Sequence, residues 1–423
     1  MIYDMTKKFL SKIGETTKDS AQLFIAEGAG LFFGMLIYFL RTRYLSVDDV
    51  GQISYIVSIV SVTSVFFTFG IDNSGGRMVL REEGELNKRR CGGALMTTSF
   101  ILFAAFDIFM LLFSVVLELL HKPDSALLIR LAAPFIGYNL ILLVYNEVCY
   151  ARGAIRQASI QLFFYYISYF FLIIVLNYFK AYTLKVAVIS EFGLHFLTVF
   201  IPAFVEYRLY FKPDRQFWEK LKMEEKERGL AVYLSRIVFL PAFNISTFIL
   251  GIFHPMSSVA FYSLCNTISS PISVVGESIG KAMYRKMNNK REIQKKALVC
   301  TVGITLGFAA LIWAAGSFVI IVLLGKDYRP MLTLLPLTVV SYVIRGITSM
   351  YTYFMNANGM AKEQKVVAYV GLAVSLSANF GLIIPFGAMG GVYASIVILI
   401  AILSVRMYFC HKRRLQGRET DIE

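Results

Sequence analysis

Apolar residues run along this chain in twelve long blocks, with short polar stretches between them. The blocks cover residues 21–40, 52–70, 94–120, 126–150, 158–176, 184–204, 231–253, 258–280, 297–324, 331–354, 366–385 and 388–409. About 20 apolar residues cross the ~30 Å hydrocarbon layer as one helix. The pattern therefore predicts an all-α, multi-pass membrane protein with twelve transmembrane helices.

The polar stretches alternate between basic and nearly uncharged. On the N-terminal side lie 32 of the 42 Lys and Arg, against seven on the other side and three inside the blocks. Cytoplasmic loops retain Lys and Arg, so both termini are expected in the cytoplasm and the protein in the inner or plasma membrane. The composition agrees: 57% hydrophobic, 17% charged, mean hydropathy +0.62. The net charge of +14 then belongs beside anionic lipid headgroups rather than on nucleic acid. Residues 1–20 show no cleavable apolar region. Ile2, Met5, Phe9, Leu10 and Ile13 share a helical face beside Lys7, Lys8 and Lys12, predicting a helix on the cytoplasmic surface.

Little in the chain reads as catalysis. Five cysteines (Cys91, Cys149, Cys265, Cys300, Cys410) lack paired spacing, and His121, His195, His254 and His411 are scattered, so no metal site and no cofactor is expected. The phosphate-loop pattern Gly-x-x-x-x-Gly-Lys-Ser/Thr is absent, which argues against ATP hydrolysis.

A weak internal repeat points to a transporter. The fourth block ends Tyr145-Asn-Glu-Val-Cys-Tyr-Ala151-Arg-Gly153 and the tenth Tyr351-Thr-Tyr-Phe-Met-Asn-Ala357-Asn-Gly359, an offset of 206; Gly51-Gln-Ile-Ser54 and Ala260-Phe-Tyr-Ser263 match at 209. Two six-helix bundles follow, 1–206 and 230–423, joined by a basic cytoplasmic linker at 207–229.

Several motifs in order carry a family resemblance: Leu45-Ser-Val-Asp-Asp-Val-Gly51, Phe69-Gly70-Ile-Asp-Asn-Ser-Gly-Gly-Arg77, Leu324-Gly325-Lys-Asp-Tyr328, Asn356-Ala-Asn-Gly359 and Asn379-Phe-Gly-Leu-Ile-Ile-Pro385-Phe-Gly-Ala-Met-Gly-Gly391. The chain resembles the polysaccharide flippases of the O-antigen, Wzx type within the multidrug/oligosaccharidyl-lipid/polysaccharide (MOP) exporter superfamily. That resemblance implies two pseudosymmetric bundles in a V around a central cavity. It also implies alternating access that carries a polyprenyl-pyrophosphate-linked oligosaccharide outward, and partners among polysaccharide assembly proteins. Where many relatives place an acid, this chain has Asn244.

Charge within the bilayer marks the candidate site, because it is costly there. Glu27, Arg236 and Arg345 fall roughly 10–12 Å from the cytoplasmic face at ~1.5 Å per residue. Arg236 and Arg345 are candidates to hold the pyrophosphate, with Asn244 beside them. Glu27 is the candidate partner of Arg236, as a gate or as a fixed staple. Asp107 and Glu191 read as isolated carboxylates able to couple transport to H+ or Na+. Arg130 is placed to snorkel to water, while Glu147 and Glu277 are expected to pair with Arg152 and Arg285. The aromatic run Phe163 to Phe171 reads as core and interface rather than sugar platform. A MATE-like drug/cation antiporter is the alternative, and a membrane-embedded polymerase or glycosyltransferase, which would need larger outside loops, the weaker one.

Overall fold

The computed structural model describes residues 15–207, 215–224, 233, 241–288, 290 and 292–419, with side chains from residue 28 onward except at 241–244, 285–286 and 416–419. The surface helix expected over 1–20 lies largely outside the described residues. The helices are α1 (Glu15–Tyr44), α2 (Val47–Phe67), α3 (Ile71–Arg81), α4 (Glu85–Leu119), α5 (Pro123–Ala132), α6 (Tyr138–Ala151), α7 (Ile155–Tyr178), α8 (Leu184–Tyr207) and α9 (Arg215–Glu224). They continue with α10 (Pro241–Phe253), α11 (Met256–Ser269), α12 (Pro271–Met287), α13 (Lys295–Phe318, prolonged by a π turn at Val319–Leu324), α14 (Met331–Ala357) and α15 (Ala361–Glu419). No strand occurs among the described residues, and the expected spans are mainly helical where they are described, with turns at 68–70, 133–137 and 270. Eight spans among the described residues are each long and apolar enough to cross a bilayer; α15 doubles back and α5–α6 form one crossing in two pieces.

The chain groups into two compact units, residues 1–44 with 63–234, and residues 45–62 with 235–423. In the first, the basic stretch 71–91 was expected to be a loop. It is helix on both sides of a short turn instead, because Ile71, Gly75, Gly76, Met78 and Val79 form a buried face. A Cβ on Gly75 would stand 2.5 Å from Leu95 Cδ2, so glycine lets α3 lie against α4. The basic linker also holds a helix, α9. Phe217, Leu221 and Glu224 are its buried face, docked in the core that α3, α4, α6 and α8 build. Glu224 accepts from Arg81 and lies 3.6 Å from Arg77, and Lys220 holds Glu82 at 3.0 Å.

Pro134 breaks the fourth crossing between α5 and α6. The chain bridges the gap with tight turns, Phe135 N–H to Ala132 O and Tyr138 N–H to Phe135 O. Two residues past the ends of α6 and α14 the repeat becomes visible in geometry. Gly153 (φ 75°) and Gly359 (φ 67°) both take the left-handed conformation that ends a helix. Behind each, the next N–H reaches back five residues, Ala154 to Cys149 O at 2.8 Å and Met360 to Met355 O at 3.0 Å. Glycine takes this left-handed turn without strain, which favours Ala-x-Gly at both places 206 residues apart; His121 (φ 58°) and Lys180 (φ 53°) close the same cap elsewhere.

The second repeat signal is a contact. Ser263 Oγ donates to Ser54 Oγ at 2.9 Å and the Ser257 N–H donates to Asp48 Oδ1 at 2.7 Å, both pairs 209 residues apart. A Cβ on Gly51 would stand 1.9 Å from Met256 O, so the start of α2 meets α11 backbone to backbone and belongs to the second unit.

Lipid tails are as apolar as leucine, so close packing rather than burial from water holds such helices together. In the second unit α12 and α14 cross at Gly276 and Gly346, where a Cβ on Gly276 would be 2.2 Å from Gly346 O. The unit's core lies beside this crossing, around Met350, Phe354, Met355, Ala394 and Ile398. α15 reverses at Gly387 (φ 58°, ψ −133°) just after Pro385. His254 Nε2, past the end of α10, lies 2.8 Å from Ile383 O and 3.2 Å from Ile384 O, closing carbonyls of the first limb's last turn, where the reversal at Gly387 interrupts the helical ladder.

Candidate functional site

One face of α14 is polar. Arg345, Thr348, Ser349, Thr352 and Asn356 recur at helical spacing of three and four, so they stack along one side. They line a cavity of about 230 Å³ with Glu277 from α12 and Leu399, Ile402 and Arg406 from the second limb of α15. The Gly276–Gly346 crossing explains the juxtaposition: the residues following and preceding those glycines are Glu277 and Arg345.

The cavity's hydroxyls are mostly turned to their own helix. Thr348 Oγ1 donates to Ile344 O at 2.7 Å, Ser349 Oγ to Arg345 O at 3.1 Å and Thr352 Oγ1 to Thr348 O at 3.0 Å. Such back-bonding satisfies the donor and leaves an oxygen able to accept. Arg406 uses it: its Nη1 donates to Thr352 Oγ1 and, at 3.4 Å, to Thr348 O. Arg345 lies half-buried, its guanidinium 5.7 Å from the Tyr342 ring centroid. Arg406 is 4% exposed, its Nε is buried without an acceptor, and it meets no carboxylate among the described residues. Sequence reasoning missed it by counting it with the cytoplasmic tail.

The first unit has a second buried cluster, and it is closed. Arg41, expected in an outside loop, is in the last turn of α1 and 3% exposed. Its Nη2 lies 2.9 Å from Glu191 Oε2 and donates to the Tyr169 hydroxyl at 3.1 Å. Tyr169 in turn donates to Ala187 O at 3.3 Å, and His195 is stacked between Tyr138 and Tyr165. The expectation of an isolated Glu191 is thus corrected: a buried arginine neutralises it. Tyr165 and Tyr169 are buried while Phe163, Phe164 and Phe171 face outward, the core-and-interface division expected.

Asp107 is not isolated either. Its Oδ1 accepts the Gly137 N–H at 2.9 Å, a donor set free by the break at Pro134. Arg130 does reach outward, to Glu118 at 2.7 Å and Ser114 at 3.0 Å. Arg152 is held by Glu85, Glu206 and the Tyr207 hydroxyl, not by the Glu147 expected, because the cap at Gly153 turns it toward α4 and α8. Glu277 lines the cavity with Arg345; the Arg285 side chain expected beside it lies outside the described residues. Arg236 lies outside them too, and Glu27 and Asn244 are on α1 and α10 with side chains outside them. All five cysteines are free, four of them buried. Among the described residues no group of His, Cys, Asp and Glu has a metal-binding arrangement.

Comparison with known proteins places this geometry. The profile of the family described as polysaccharide biosynthesis protein matches residues 16–284, and no curated protein sequence matches the chain significantly. Among solved structures, the lipid II flippase MurJ in an inward closed conformation superposes with a TM-score of 0.69 at 15% identity, covering 94% of this chain and 90% of that one. An inward-facing multidrug resistance MATE transporter of the MOP superfamily superposes with 0.65 at 14% identity, covering 92% and 94%. A MOP superfamily transporter from Pyrococcus furiosus, described as having a binding pocket of reverse polarity, gives 0.54 at 14% identity, covering 95% and 94%. The chain is a multi-pass membrane protein with the MOP transporter fold.

Proposed function

Because the chain belongs to the polysaccharide biosynthesis protein family, we propose that it is a flippase, moving a polyprenyl-pyrophosphate-linked oligosaccharide from the cytoplasmic to the outer leaflet by alternating access. The reading is carried by one observation: a membrane-embedded cavity with two arginines and a row of hydroxyls on its wall. A diphosphate crossing hydrocarbon needs fixed positive charge, and guanidinium forks suit phosphate oxygens better than ammonium groups do. Glu27, Arg236 and Asn244 are proposed as further substrate-handling residues. Both termini are proposed to face the cytoplasm, with 207–229 as the link between the halves.

Coupling to H+ or Na+ is part of the proposal, with Asp107 and Glu191 as the carboxylates to test, and polysaccharide assembly proteins are the proposed partners. The likeness to MATE structures favours a second reading, a drug or cation antiporter, but arginines at the cavity disfavour a cationic cargo. Deleting the gene in its source cell should abolish the surface glycan and leave lipid-linked oligosaccharide in the inner leaflet. Unchanged glycan, or efflux of cationic dyes lost in its place, would refute the flippase reading.

A further inference from the structure

The cavity on α14 is small. At about 230 Å³ it falls below the roughly 300–1,000 Å³ of pockets that enclose drug-sized ligands, so it has no room for an oligosaccharide. Its wall nevertheless carries two guanidinium groups against one carboxylate, Glu277. Arg406 carries the argument. A guanidinium 4% exposed, with a buried Nε that meets no acceptor and no carboxylate among the described residues, is a desolvated charge without a counter-ion. Buried charges are paired, or they bind something that pairs them.

We propose that the Arg345–Arg406 cavity is a binding site for a single phosphate or diphosphate group, seated between α14 and the second limb of α15. Arg406 is pre-oriented for this by Thr352 Oγ1 and Thr348 O, which fix the plane of its fork. Arg345, half-buried and held near the Tyr342 ring, supplies the second cation. Leu399 and Ile402, two turns and one turn before Arg406 on the same limb, make the neighbouring wall apolar. The site therefore suits a phosphate that continues into a hydrocarbon chain. A lipid-linked diphosphate and a membrane phospholipid share this chemistry. Assigning the site to cargo rests on the flippase reading; the phosphate site itself does not.

The test uses the full chain in nanodiscs of phosphatidylcholine. Binding of inorganic pyrophosphate and of farnesyl diphosphate is measured by calorimetry, and retention of phosphatidylglycerol by native mass spectrometry. At least one probe should bind to the native chain and bind about tenfold or more weakly to Arg406→Gln. Arg345→Gln, at a less buried position, should show the same loss even if Arg406→Gln folds poorly. Preference for farnesyl diphosphate identifies the cargo linkage, selective phosphatidylglycerol retention identifies a headgroup, and equal binding of pyrophosphate identifies the bare anion. If no probe binds, or if binding is indifferent to Arg345→Gln, the site is overturned. Glycan export is scored separately: export without arginine-dependent phosphate binding removes the site and leaves the flippase standing. Phosphate binding in a cell whose glycan is indifferent to gene deletion does the reverse.

Discussion

Replacing Gly276 by alanine probes the crossing on which the cavity is built. The new Cβ would lie 2.2 Å from Gly346 O, 2.6 Å from its carbonyl carbon and 2.7 Å from its Cα. All three are backbone atoms of α14, so no side chain can turn away. Contacts under 3.0 Å are essentially never seen, and α12 must therefore retreat by at least about 0.8 Å. Overpacking of a well-packed core costs about 1–3 kcal/mol, and rigid neighbours put this site at the upper end. At about 2 °C per kcal/mol for a large domain, the midpoint of thermal aggregation in detergent should fall by about 6 °C. Gly303→Ala on α13 is the control, since nothing lies within 4 Å of its Cβ; there alanine should leave the midpoint unchanged or raise it through helix propensity. Equal midpoints for the two variants would refute the backbone crossing and the account of why Glu277 and Arg345 share a cavity.

Glu191→Gln strands the buried Arg41 charge and should cost about 3–5 kcal/mol, whereas Arg41→Met with Glu191→Leu should recover most of the loss in the same melting assay; a double variant as unstable as the single contradicts the pairing. Asp107→Asn keeps an acceptor for the Gly137 N–H and should melt like the native chain, while Asp107→Ala should lose about 1–2 kcal/mol; glycan export lost in the asparagine variant at native stability would assign Asp107 to coupling. Arg152→Ala removes the partner shared by Glu85, Glu206 and Tyr207 and should cost about 2 kcal/mol, with Arg152→Lys intermediate because one ammonium cannot serve three partners in fixed directions; thermal midpoints of the pair decide it.

What could be read from the chain alone was whatever the backbone imposes locally. Twelve apolar blocks give helices because lipid leaves no other way to satisfy the peptide groups. Ala-x-Gly recurs because a left-handed cap favours glycine, and the offset of 209 pairs Ser54 with Ser263, which touch. Partnerships across long separations were hidden. Glu191 reads as isolated because Arg41 lies 150 residues away, at a block edge where basic residues normally face water. Arg406 reads as tail for the same reason, since only the polar face of α14 shows that it is inside. Asp107 looks like a titrating group until the break at Pro134 exposes the N–H it caps. In α3 and α9, charges at the edges masked short amphipathic faces.

The reversal at Gly387 has a bearing on how the chain enters the bilayer. Between the two limbs of α15 the sequence Pro385-Phe-Gly-Ala-Met-Gly-Gly391 contains no charge, so no hydrophilic cap has to be dragged through the hydrocarbon. Both limbs can partition together as a preformed hairpin, and the last two crossings need no translocated soluble segment. The same economy leaves this apex with no tolerant position for an epitope or a glycosylation tag, since any polar insertion there would separate His254 from the carbonyls it closes.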